Sequence, residues 1–241
     1  MTITRFACLA LLLIGFSLFI SSCAGTVTSP ARAPTAPVNS TAPADGSQAN
    51  IKLPEPRLKG DMSLEEALSK RRSIRSYADA PLTLNDVSQL LWAGQGITND
   101  KGGRTAPSAM ASYPLTLFLV AGNVEGLKPG LYIYQPAGHE LVWIKDGDYR
   151  QAIGNQNSIK AAPIDIVIAA NYDKLKTSGD NGQKWAYLEG GHVAQNICLE
   201  AIALDLGTVT VGGFIEDQVK NVIGLTGNTG ILYVMPVGKE P

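Results

Sequence analysis

Three short segments of the chain carry residues whose types and spacing suit chemistry. The first is Lys70-Arg71-Arg72-Ser73-Ile74-Arg75. Arginine presents planar, forked donors matched to phosphate oxygens, so three guanidinium groups with a neighbouring hydroxyl make a concentrated anion site. Alone, the run also reads as a solvated basic helix end that complements the macrodipole. The second is the loop Gly102-Gly103-Arg104-Thr105-Ala106-Pro107-Ser108-Ala109-Met110-Ala111-Ser112-Tyr113-Pro114. Its small side chains let backbone amides and carbonyls approach a flat ligand closely, although a plain surface loop has the same composition. The third is Thr210-Val211-Gly212-Gly213-Phe214, where two glycines near a helix entrance expose backbone amides of positive dipole character. Neither G-x-G-x-x-G nor a P-loop occurs in the chain.

The elements that must hold these segments follow from caps and periodicity. Ser63-Leu64-Glu65-Glu66 reads as a capping box opening a helix from Leu64 to about Lys70. Thr83-Leu84-Asn85-Asp86 opens a second in the same manner, with Leu84, Val87, Leu90 and Leu91 at helical spacing until Gly94 and Gly96. Leu115–Ala121 and Ile164–Ala170 are apolar runs suited to strands buried on both faces. Gly130–Tyr134 and Glu140–Ile144 form a hairpin around Pro136-Ala137-Gly138. Gln183–Leu206 is apolar around most of its circumference and predicts a core helix, with Gly190-Gly191 admitting something large at close range. A strand at Thr208–Val211, a helix at Glu216–Ile223 and a strand at Ile231–Val237 complete the chain. Helices and strands mix without a βαβ rhythm, so the class is α+β.

The N-terminus reads as addressing. Phe6–Ile20 is an apolar run of about 15 residues, too short for a bilayer-spanning helix and suited to a signal-peptide core. Ile20-Ser21-Ser22-Cys23 resembles the bacterial lipobox, which makes Cys23 the expected lipid anchor of an exported, membrane-anchored lipoprotein of the cell envelope. The expected divisions are a signal at 1–23, a Pro/Ala/Ser/Thr-rich tether at 24–57, and one folded domain at 58–241.

A net charge of −1 argues against a nucleic-acid partner. With Cys8 and Cys23 assigned to the signal and anchor, Cys198 is alone, which leaves neither a disulfide nor a cysteine metal site. His139 and His192 lack ligand spacing and read as a surface and a helix histidine, so no metal is expected.

Together, the segments resemble the FMN-dependent nitroreductase-like family, in particular the branch of azoline-oxidising dehydrogenases. Arg71-Arg72-Ser73-Ile74-Arg75 is similar to its R-R-S-x-R opening, and Leu90–Gly96 to the helix that follows. Arg104-Thr105-Ala106-Pro107-Ser108-Ala109 through Tyr113-Pro114 is similar to its R-T-x-P-S-A loop, and Glu189–Asn196 to its central helix. The resemblance spans residues 61–241 and implies a central, mostly antiparallel sheet flanked by helices. It also implies a homodimer with two FMN sites at the interface, working between a small-molecule electron donor and acceptor.

By matching position, Arg71, Ser73 and Arg75 would hold the FMN phosphate and ribityl chain, with Arg72 near the pyrimidine. Pro107, Ser108 and Ala109 of the other subunit would line the ring, Gly212 and Gly213 amides would face N5 and O4, and Lys239 would be a second phosphate cation. No catalytic acid or base is implied; Arg104 and Tyr113 are candidate substrate contacts. Met110 and Ser112 stand where the branch has glycine and leucine, which predicts a narrowed flavin face or substrate pocket, and Gly212 replaces a glutamate of the broader family. The competing expectation is a non-catalytic flavin-fold lipoprotein that binds ligands or partners.

Overall fold

The computed structural model describes residues 50–241 apart from Asp180; the expected signal, Cys23 and most of the expected tether lie outside them. In chain order the elements are β1 (Ile51–Lys52), α1 (Leu64–Lys70), α2 (Leu84–Gln95), β2 (Leu115–Ala121), β3 (Gly130–Gln135), β4 (Glu140–Asp146), α3 (Asn157–Ala161), β5 (Ile164–Asn171), α4 (Asn181–Ala203), β6 (Leu206–Thr208), α5 (Glu216–Ile223) and β7 (Thr229–Lys239). Short 3-10 turns occupy Ala109–Ala111 and Tyr172–Ser178. The strands form one sheet in the order β1-β4-β3-β2-β5-β7-β6, with every paired neighbour antiparallel. The α+β class and the antiparallel sheet flanked by helices are those expected.

The sheet is the middle of three layers. Leu115, Leu117 and Leu119 of β2, with Ile164, Ile166 and Ile168 of β5, face the helix layer built from α2 and α4. Phe118 and Val120, with Val167 and Ala169, face the opposite layer of α3 and α5. This is the period-2 alternation of a strand buried on both sides. β7 departs from it, because the β5–β7 register shifts between Ile168 and Ala169 and leaves Leu232 as an extra residue. Ile231 and Val234 therefore share one face, and Leu232 and Met235 the other. A one-residue bulge reverses which parity points inward, as it must when every side chain alternates.

The helix starts are built as their caps dictate, with one difference. Thr83 and Asp86 form a complete box, Thr83 Oγ1 accepting from Asp86 N and Asp86 Oδ2 accepting from Thr83 N. Ser63 Oγ accepts from Glu66 N, but the Glu66 carboxylate pairs with Lys70 at 2.6 Å instead of returning to the cap. An i,i+4 lysine competes for the same carboxylate.

Three other expectations change. Residues 51–57, read as tether, begin the fold: β1 pairs with β4, Leu53 is buried, and Gln89 of α2 bonds the backbone of Arg57 at both its N–H and its carbonyl. Two alternating residues beside a proline-rich stretch carry too little pattern to read as a strand.

His139, expected at the surface, is buried. Its Nε2 lies 2.7 Å from Ser88 Oγ and 2.9 Å from Pro54 O, and its Nδ1 2.9 Å from Tyr134 Oη. It staples the N-terminal segment to α2 and β3, and burial lowers its pKa.

The helix α4 is buried along one wide face and leaves Tyr187 and Leu188 exposed. The large neighbour of Gly190 is the sheet itself, since a Cβ there would stand 2.6 Å from Leu232 Cδ1, whereas Gly191 has open space.

Candidate functional site

The arginine run leaves α1 at its C-terminus and is fixed to the end of the sheet. Arg71 closes the helix, its N–H bonding Ala67 O at 2.9 Å. Ile74 N then donates to Thr208 O of β6 at 3.0 Å and Ala78 N to Lys239 O of β7 at 2.9 Å. Tyr77 Oη reaches both Ile74 O and Pro236 O. Two glycines make this docking possible: a Cβ at Gly207 would meet Ile74 at 2.6 Å, and one at Gly238 would meet Tyr77 at 3.0 Å. The fold thereby brings Arg71, Arg72, Ser73, Arg75 and Lys239 to one edge.

The side chains in this run differ in what they do. Arg72 Nη1 folds back onto Ser69 O and Arg71 O, and Arg75 Nη1 rests on Ser73 O at 3.4 Å. Arg71 lies toward α4, where it pulls the Cys198 thiol down while burial dominates and raises it to about 11. Burial likewise pushes the Tyr77 phenol up, with Asp165 adding to the rise and Arg75 opposing it. Among the described residues none of Arg71, Arg72, Arg75 and Lys239 has an ion-pair partner. Four cations without an ion-pair partner suit an anionic ligand.

Gly212 and Gly213 follow Val211, which bridges to Val234 of β7, and precede α5. The strand expected at Thr208–Val211 is displaced upstream to Leu206–Thr208, leaving Val211 as an isolated bridge. Both glycines are exposed, neither has a positive φ, and a Cβ on either would find nothing closer than 3.9 Å. Nothing in the described chain requires glycine here. Close approach by a flat ligand does, so the residues present fit a flavin whose edge meets bare backbone.

The loop from Arg104 to Tyr113 is strained and held at several points. Met110 and Ala111 have φ of 51° and Tyr113 of 44°, a left-handed backbone that costs a side-chain-bearing residue about 1–2 kcal/mol. Ser108 Oγ accepts from Tyr113 N at 2.9 Å, Arg104 stacks on the Tyr113 ring at 4.2 Å, and Lys174 Nζ donates to Tyr113 O at 3.0 Å. Such strain persists where surroundings over-determine the conformation. Pro107 is exposed and Ser108 and Ala109 are half-buried; no hydrogen bond joins this loop to the arginine run among the described residues.

Beneath the loop lies a polar cluster that sequence reasoning passed over. Gln95 of α2 accepts from Arg104 Nη1, and Glu189 of α4 sits beside Ser108 and Gln95. Both are buried, and Gln95 Nε2 and Glu189 Oε1 have no hydrogen-bond partner. Burial raises the Glu189 pKa, against the pull of Ser108, Gln95, Arg104 and Lys174. Burial lowers that of Arg104, and desolvation followed by Arg104 lowers that of Lys174. A glutamate on the buried face of α4 was a legible signal. Lys174, in the turn after β5, offered none.

Three clefts open elsewhere on the described surface: one by Arg57, Asp61 and Glu200, one by Leu64, Trp92 and Leu199, and one by Glu55, Thr83 and Leu204. None of these three is lined by a predicted site residue, although Thr105 of the loop lines the second.

Comparison with known proteins shows the family and the fold. The nitroreductase family profile matches residues 68–239. A Methanocaldococcus jannaschii protein carrying the name nitroreductase is 38% identical over 200 residues, 81% of this chain and 98% of its own. The crystal structure of a Ralstonia eutropha protein, also named as a nitroreductase, superposes with a TM-score of 0.73 at 30% identity, covering 83% of this chain and 93% of its own. A chain of the E. coli microcin synthetase complex shares the fold at TM-score 0.62 and 20% identity, over 83% of this chain and 76% of that one. The chain belongs to the nitroreductase family, and is by that membership an oxidoreductase of a flavin-dependent kind.

Proposed function

We propose that the chain is an FMN-dependent oxidoreductase that moves two electrons between a small-molecule donor and a small organic acceptor, in the branch resembling the azoline-oxidising dehydrogenases. The observation that carries the reading is the docking of the arginine run along β6 and β7, which sets four cations lacking ion pairs on one sheet edge. Arg71, Ser73 and Arg75 hold the FMN phosphate and ribityl chain, Lys239 adds a second cation, and Arg72 lies by the pyrimidine. Bound there, FMN supplies hydride-type chemistry at its N5. The amides of Gly212 and Gly213 offer fixed donors where negative charge develops on the ring.

A second copy of the chain supplies the other wall of the flavin site through Pro107, Ser108 and Ala109. Exposed apolar residues support pairing: Leu64 and Leu68 on α1, Tyr187 and Leu188 on α4, and Met110 at the loop tip. The lipobox reading of Cys23 places the enzyme outside the cytoplasmic membrane on a lipid anchor. There a quinol or a secreted redox partner replaces the cytosolic nicotinamide pool.

Titration with FMN tests the cofactor reading. Arg71→Ala combined with Arg75→Ala should weaken FMN binding by at least about a hundredfold, two charge-assisted contacts being lost. Unchanged affinity would place the phosphate elsewhere. Sedimentation equilibrium reads the dimer, and metabolic labelling with palmitate reads Cys23.

A further inference from the structure

Two cations outside the phosphate edge converge on one residue. Arg104 stacks over the Tyr113 ring at 4.2 Å and Lys174 Nζ bonds the Tyr113 carbonyl at 3.0 Å. Neither has an ion-pair partner within 4 Å among the described residues. Desolvation, and after it the nearby Arg104, disfavours the charged form of Lys174, while Glu189 favours it.

The acid that acts on both is Glu189, buried and beside Ser108 and Gln95. With Glu189 ionised the cluster carries one net positive charge, and with Glu189 protonated two. Glu189 is held beside Ser108 and Gln95, whose side chains favour its ionised form. An apolar flank accompanies the charge: the Tyr113 ring and, farther along the loop, Met110, which is 67% exposed.

We propose that Arg104 and Lys174 form an anion subsite that seats the carboxylate of an aromatic or heteroaromatic acid beside Tyr113, so that the substrate class of this oxidoreductase is a small organic carboxylate. This rests on the reading that the loop at 107–109 borders the flavin. A carboxylate matches the guanidinium fork and the remaining ammonium hydrogens of Lys174, and its single charge offsets the cluster's excess. The ring stacks where Tyr113 and Met110 offer apolar surface. The left-handed backbone at Tyr113 is then the means by which the loop offers its carbonyl to Lys174 and its ring to Arg104.

Calorimetric titration of the full chain with benzoate, benzamide and inorganic phosphate tests this. Benzoate should bind at least about tenfold more tightly than benzamide, and phosphate more weakly than benzoate. Lys174→Gln should lower benzoate affinity by about tenfold and benzamide affinity by markedly less, so that the preference for benzoate shrinks. Arg104→Gln should do the same; should it fail to fold, Lys174→Gln decides.

Equal binding of benzoate and benzamide, stronger binding of phosphate, or an unaltered Lys174→Gln variant would each overturn the assignment. The titration is read on protein with and without FMN. Absent flavin uptake with intact benzoate discrimination counts against the cofactor reading alone, while normal uptake without discrimination counts against the subsite alone.

Discussion

Asp165 offers a quantitative test of how the core treats a charge. It lies in β5 opposite Val120 of β2 and Pro236 of β7, fully buried, on the strand face shared with Val167 and Ala169. Both carboxyl oxygens lack a hydrogen-bond partner. Arg150 pulls its pKa down, but that guanidinium is bonded to Asp148 at 2.6 Å and to Ala162 O at 2.7 Å. Burial wins, and the pKa stands well above the usual carboxylate range. The folded state thus keeps a proton that the unfolded chain releases near pH 3.9. Stability falls as pH rises from there toward the folded midpoint, by up to about 1.4 kcal/mol per pH unit. Asp165→Asn keeps the shape and removes the titration. Its stability relative to the unaltered protein should rise with pH at that slope, about 3–6 °C in melting temperature per unit for a domain of this size. Urea and thermal melts at half-unit intervals from pH 4.5 to 8 read the difference. The comparison rests on slope, because an unpartnered amide shifts the baseline equally at every pH. Parallel profiles, or an unaltered protein that gains on the variant as pH rises, would show that Asp165 is ionised and paired in the fold.

Other perturbations separate the remaining elements. His139→Gln should lower stability at pH 7.5 by about 1–3 kcal/mol through loss of the staple to Pro54 and Ser88. Because burial depresses the His139 pKa, that stabilisation is complete above the unfolded value near 6.5 and lost as pH falls; the gap between variant and parent should narrow at pH 5.5, with faster proteolysis within residues 50–57. Thr83→Ala removes the side-chain half of a complete capping box and should cost about 1 kcal/mol by urea denaturation. Met110→Gly relieves left-handed strain at an exposed side chain, offset by the greater freedom of glycine in the unfolded chain, for a net gain of about 0.5 kcal/mol; a destabilised variant would show that the methionine side chain packs.

Elements with strong local signals were legible. The helices α1, α2 and α5 and the strand β2 appear at their predicted bounds, because caps and apolar periodicity are properties of neighbouring residues. What escaped depended on distant partners. β1 exists only because β4 offers an edge and Leu53 a place in the core. The face reversal in β7 is set by the β5 register, which no feature of Thr229–Lys239 encodes. His139 looked like a hairpin surface residue until Pro54, Ser88 and Tyr134 closed around it.

The candidate site divides along the same line. Its cations and glycines were readable because they lie in short runs, and docking against β6 and β7 turns the arginine run into a surface that includes Lys239, far along the chain. The loop at Arg104–Tyr113 was readable as a loop of small residues but not as a strained one. Met110, with Ser112, is expected from the sequence to narrow the flavin face or the substrate pocket. The structure adds a consequence: the position has φ 51°, where glycine is favoured for its backbone, and the side chain is largely exposed. The cost of this departure therefore falls first on the conformation of the loop. That conformation is held by Ser108 within the loop and by Lys174 from the turn after β5. A substitution that looks like a change in pocket shape is therefore first a change in how firmly Tyr113 is presented to Arg104 and Lys174.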